Sequence, residues 1–78
     1  MILDLDKFLA SERPHWDELE AFLARFESGT AERLSLDQLR RFHYLYERAS
    51  SDLGKLTTFA SEPDTRRYLE TLVARAYA

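Results

Sequence analysis

Apolar side chains recur at steps of three and four along nearly the whole chain, the period of one helix face and not the alternation of a strand. Little interrupts them, because the 78 residues include only two glycines and two prolines. Between residues 4 and 27 the stripe is Leu5, Phe8, Leu9, Trp16, Leu19, Phe22, Leu23 and Phe26, with Glu12 at the place where it skips. One register holds on both sides of Pro14. Proline has no N–H to donate and crowds the carbonyl four residues back, so this pattern predicts a single helix kinked near Pro14. Ser28-Gly29-Thr30 supplies the stop, with Gly29 suited to a left-handed cap.

A second helix, residues 35–58, opens on a capping box, Ser35 with Gln38 three positions on. Leu36, Leu39, Phe42, Tyr46, Ala49, Leu53 and Leu56 continue its stripe without a change of phase at Gly54. A glycine inside a helix costs about 1 kcal/mol relative to alanine, which weakens the helix there without ending it. Ser61-Glu62-Pro63-Asp64 reads as a third start, with a serine cap, a first-turn proline and early carboxylates. Tyr68, Leu69, Leu72, Val73, Ala76 and Tyr77 give the helix over residues 62–78 one broad apolar face.

Three amphipathic helices with short connections predict an all-α, up-down-up three-helix bundle in a single domain, residues 1–78. Trp16, Leu19, Phe42, Tyr46, Leu53, Leu69 and Leu72 are its expected core, since three stripes of one period have only each other for cover. Charge divides unevenly. Residues 1–32 carry eight acidic and three basic side chains, and residues 33–78 six and eight. An acidic first helix beside two basic ones follows, with pairs four residues apart such as Asp37 with Arg41 and Glu62 with Arg66.

Most chemistries lack the residues they need. Without cysteine there is neither a disulfide nor a thiolate metal site. Glu12 and His15 form one Glu-x-x-His step, but di-iron bundles use two, and Arg40 stands where the matching glutamate would precede His43. His43 is expected half-buried beside the core stripe. Neither histidine sits in a local arrangement suited to a nucleophile, and there is no glycine-rich phosphate loop. Asp17 and Glu18 fall on the face predicted to meet solvent. No enzyme, cofactor or metal is therefore expected. A net charge of −3 argues against a nucleic-acid partner. No apolar run reaches the roughly 18–20 residues that span a bilayer. The remaining candidate is on the second helix: opposite its stripe, Tyr44 points outward among Arg40, Arg41 and Arg48. Aromatics and arginine are enriched where proteins meet, so these four residues are the expected protein-contact patch, apart from the packing. The uncovered stripe of the third helix, running to Tyr77, adds an expectation of homodimers.

The order His43-Tyr44-x-Tyr46-x-x-Ala49-x-x-Asp52-Leu53 resembles the N-terminal segment of the stage II sporulation protein M family. Asp4-Leu5-x-x-Phe8, Arg13-Pro14-x-Trp16-x-x-Leu19-Glu20, Leu34-Ser35, Thr58-Phe59 and Tyr68-Leu69-x-x-Leu72-Val73-Ala74-Arg75-Ala76-Tyr77-Ala78 extend the similarity along nearly the whole chain. The resemblance implies a non-enzymatic helical module on the cytoplasmic face of the bacterial inner membrane, placed ahead of spanning helices that would follow Ala78. It implies protein partners and transfers no catalytic or cofactor residue. A small stand-alone helical protein that self-associates is the alternative expectation.

Overall fold

The computed structural model describes residues 4–29, 34–59 and 62–77, and among these it contains three helices and no strand. They are α1 (Leu5–Glu27), α2 (Leu36–Phe59) and α3 (Pro63–Tyr77). The expected all-α fold is what forms, with helix bounds within a residue of those expected; Thr30, Ser61 and Ala78 lie outside the described residues. Local chemistry accounts for the ends. Asp4 Oδ1 accepts from the Lys7 amide at 3.2 Å and starts α1. Gly29, at φ 72°, turns the chain out of it in the left-handed conformation that only glycine adopts without strain. The capping box is complete at α2, where the Ser35 amide donates to Gln38 Oε1 at 2.8 Å and the Gln38 amide to Ser35 Oγ at 3.1 Å. Pro63 is the first helical residue of α3, where a missing N–H leaves no bond unmade.

α1 runs through Pro14 as one helix, with that residue on its exposed face. Side-chain contacts fix the directions of the three helices. Glu12 meets Arg48 and Glu18 meets Arg41, so α2 runs antiparallel to α1. Glu20 meets Tyr68 and Glu27 meets Arg75 at a constant offset of 48 positions, so α3 runs parallel to α1. The bundle is up-down-up. In that register α3 begins beside His15.

The core is Trp16, Leu19 and Leu23 from α1, Leu45, Ala49 and Leu56 from α2, and Leu69 and Leu72 from α3. Each buried leucine contributes about 1.5–3 kcal/mol through apolar area removed from water. Four of the seven expected core residues are fully buried, but Phe42, Tyr46 and Leu53 are only half-buried. The centre of α2's buried arc is Leu45, Ala49, Asp52 and Leu56. Because α2 packs on both other helices, its arc is wide, and the apolar stripe marks one flank of it. Asp52 occupies a central position that a search for apolar residues passes over. The start of the expected stripe is also displaced: Leu36 and Leu39 are exposed. So is His43, whose Nδ1 lies 3.3 Å from Glu47.

Candidate functional site

The most concentrated polar chemistry lies in the seam between α1 and α2. Glu12 and Trp16 are one turn apart on α1, and Arg48 and Asp52 are one turn apart on α2, and two polar rungs cross one another between these antiparallel helices. In the first, Arg48 Nε and Nη2 donate to the two oxygens of Glu12 at 2.6 and 2.7 Å, a bidentate ion pair. In the second, Trp16 Nε1 donates to Asp52 Oδ2 at 2.9 Å. These carboxyls are interior groups, with Glu12 6% and Asp52 2% exposed.

The two carboxyls also act on each other's charge, and their environments drive their proton affinities apart. Hydrogen bonding to the Arg48 guanidinium outweighs burial at Glu12 and holds its pKa at about 2, against an ordinary 4.5. Burial, reinforced by the neighbouring Glu12 carboxylate, pushes Asp52 up from 3.8 to about 7. Below neutral pH the preferred state is an ionised Glu12 paired with Arg48 beside a protonated Asp52.

The seam continues outward. Arg48 Nη1 donates to the Tyr44 hydroxyl at 2.6 Å, and the guanidinium groups of Arg41 and Arg48 stand 5.3 and 5.9 Å from the Tyr44 ring centroid. His15 of α1 meets that ring edge-on at 6.3 Å. Arg41 then makes its own bidentate pair with Glu18 at 2.7 and 2.8 Å. The expected contact patch keeps its exposure, with Tyr44 42% exposed, and Arg41, Tyr44 and Arg48 also fasten α2 to α1 instead of standing apart from the packing. Arg41 pairs across helices, not with Asp37, and Glu18 belongs to this fastening. Arg66 lies 3.9 Å from Glu70 rather than pairing with Glu62. Arg40 is exposed beside the patch.

A second feature is the end of the bundle where α1 finishes, α2 begins and α3 finishes. Phe26 and Phe42 meet edge-on at 5.3 Å there, and the Glu27–Arg75 pair, at 2.6 and 2.9 Å, ties α3 to α1. Leu23, Phe26, Glu27, Phe42, Arg75 and Ala76 line an open groove between them. Five large apolar or aromatic side chains are exposed among the described residues. Four of them, Phe26, Leu36, Leu39 and Tyr77, lie at this end, with Leu36 62% and Tyr77 81% exposed. The fifth is Tyr44 in the seam.

Sequence reasoning passed over Glu12 and Asp52 as a pair. The signal was present, since both fall in helical register with buried neighbours, Glu12 before Trp16 and Asp52 between Ala49 and Leu56. Among the described residues no cluster of three or more histidines, aspartates or glutamates could hold a metal ion, and no helix is long and apolar enough to cross a membrane. In comparisons with known proteins, no curated protein and no solved structure matches the chain. A family model described as a domain of unknown function, DUF8413, matches residues 6–78. Since that match spans nearly its whole length, the chain belongs to the DUF8413 family.

Proposed function

We propose that this bundle is a non-enzymatic contact module, binding another protein through the apolar end formed by Phe26, Leu36, Leu39 and Tyr77. One observation carries the reading: the exposed large apolar side chains gather at one end instead of scattering over the surface. Scattered apolar residues are ordinary on a protein surface, whereas gathered ones mark contact sites. The state of the buried acids favours a non-catalytic role. Glu12 and Asp52 are the side chains best tuned for proton transfer, and both are buried and bonded to protein groups. The resemblance to stage II sporulation protein M supports a setting on the cytoplasmic face of a bacterial inner membrane, ahead of spanning helices. In that setting the reading frame continues past Ala78 into apolar runs of about 20 residues.

A photo-crosslinking residue at Leu39, introduced into the protein in its native cell, tests the surface. We expect a discrete protein adduct from Leu39 that disappears when Leu36 is changed to glutamate, and none from a crosslinker at Asp64, near the opposite end. Equal labelling from both positions would refute the assignment. The same apolar end supports a second reading, a stand-alone protein that pairs with its own copy. Light scattering separates the two, since a dimer that dissociates on Leu36→Glu favours self-association.

A further inference from the structure

The Glu12–Arg48 and Trp16–Asp52 rungs hold α1 to α2 where, in the observed register, α3 has only just begun. We propose that this seam is a proton-operated latch: Glu12 and Asp52 hold one proton between them in the closed bundle, and its loss loosens α1 against α2. Two adjacent carboxyls removed from water, with one guanidinium between them, cannot both ionise cheaply, because desolvation and like-charge repulsion act together. Arg48 takes both oxygens of Glu12, so Glu12 keeps the charge and Asp52 the proton. With that proton Asp52 stands neutral beside Glu12 while accepting from Trp16. Without it, two buried anions face each other.

Every helix contributes to the surroundings. From α1, His15 adds positive charge beside Glu12 when protonated. From α2, Lys55 favours the charged form of Asp52 but stands 6.0 Å from the Phe8 ring centroid, on the outer side of the seam. From α3, Tyr68 tilts against Trp16 at 6.3 Å and donates its hydroxyl proton to Glu20, not into the latch. None of these donates a hydrogen bond to Asp52 as Arg48 does to Glu12; its side-chain donor is Trp16.

The sign of the effect follows. Asp52 has its folded pKa raised from 3.8 to about 7, so its contribution to stability is fully present below about 4 and is lost as pH rises to about 7. The test is urea unfolding of the whole chain at pH 5 and pH 8.5, with a carbon-13 NMR titration of its aspartate carboxyls. The wild-type midpoint should fall by about 1 M or more at the higher pH, and Asp52→Asn, whose uncharged amide still accepts from Trp16, should hold its midpoint. His15→Gln should keep the wild-type fall, which assigns the effect to the acid pair. In the titration, one carboxyl should change near pH 7 and move to lower pH in Glu12→Gln. That readout stands even for an Asp52→Asn chain that fails to fold. A wild-type midpoint equal at both pH values, or no aspartate carboxyl titrating above about pH 5, would overturn the proposal.

Discussion

Replacing Arg48 with alanine should cost the bundle about 2–3 kcal/mol at pH 7, and about a quarter of that at pH 2.5. The magnitude comes from where the pair sits. Exposed pairs contribute about 0–1 kcal/mol, and breaking a fully buried one costs about 3–5 kcal/mol. Here the anion is interior, with Glu12 6% exposed, while the Arg48 side chain is 36% exposed and keeps part of its hydration. Linkage gives a figure of similar size. Glu12 is held at about 2 against an ordinary 4.5, and each tenfold change in proton affinity is worth about 1.4 kcal/mol before solvent screening is discounted. Because this folded pKa is depressed, the stabilisation is present above about pH 4.5 and is lost as pH falls to about 2. Arg48→Ala leaves Glu12 to bind a proton, so wild type and variant should converge in acid. A 78-residue domain has about 4–12 kcal/mol of total stability, so the loss at pH 7 is a large share of it. Urea denaturation followed by far-UV circular dichroism at the two pH values measures the effect. A difference below about 0.5 kcal/mol at pH 7, or an equal difference at both pH values, would refute the account.

Leu72→Ala removes a fully buried side chain from the contact of α3 with the core and should cost about 2–5 kcal/mol, read as a fall in the urea midpoint. Gly54→Ala should do the reverse, because Gly54 lies inside α2 and an added Cβ there meets nothing within 4 Å. A gain of about 0.5–1 kcal/mol, visible as a Tm higher by several degrees, is expected. Changing Glu12 and Asp52 together to leucine should lower the urea midpoint although it adds apolar surface, because it strands the Trp16 indole N–H and the Arg48 guanidinium without their partners, at about 1–3 kcal/mol for an orphaned interior donor.

The helices and their order were legible in the sequence because they rest on local chemistry. Ser35 and Gln38 cap α2 within a span of four residues, and Gly29 takes its left-handed turn without help from the rest of the fold. What was not legible is which way α2 faces. Its rotation is set by the two helices it packs against, and a list of apolar positions places Phe42, Tyr46 and Leu53 at the centre because Asp52 does not count as apolar. The same omission hid the seam. With Asp52 left out of the stripe, Arg48 and Tyr44 fall on an outward face and read as a docking patch. Once Asp52 is placed inside, one turn of helix brings Arg48 to Glu12, and the patch shares its residues with the seam. Nothing in the spacing alone announces that an acid is buried, since burial requires a partner on another helix.

The position of these polar groups also bears on how one arrangement is selected. The buried residues of α2 are spaced three and four apart, Leu45, Ala49, Asp52 and Leu56, and those of α1 likewise, Glu12, Trp16, Leu19 and Leu23. Apolar contact is non-directional, so sliding α2 along α1 by one turn would still set leucine and alanine against leucine and tryptophan. The polar rungs do not survive such a slip. With α2 moved one turn toward its own N-terminus, the partner facing Trp16 would be Leu56, leaving the indole N–H without an acceptor. Moved the other way, Trp16 would face Arg48 and Glu12 would face Tyr44, which leaves Asp52 buried with neither donor nor counter-ion. An orphaned interior polar group costs about 1–3 kcal/mol and an uncompensated charge more, several times the difference expected between two apolar registers. On these grounds the leucines and Trp16 supply most of the cohesion of the bundle. Glu12, Arg48 and Asp52 determine which residues meet, and the register they select is the one that brings Phe26, Leu36, Leu39 and Tyr77 together at one end.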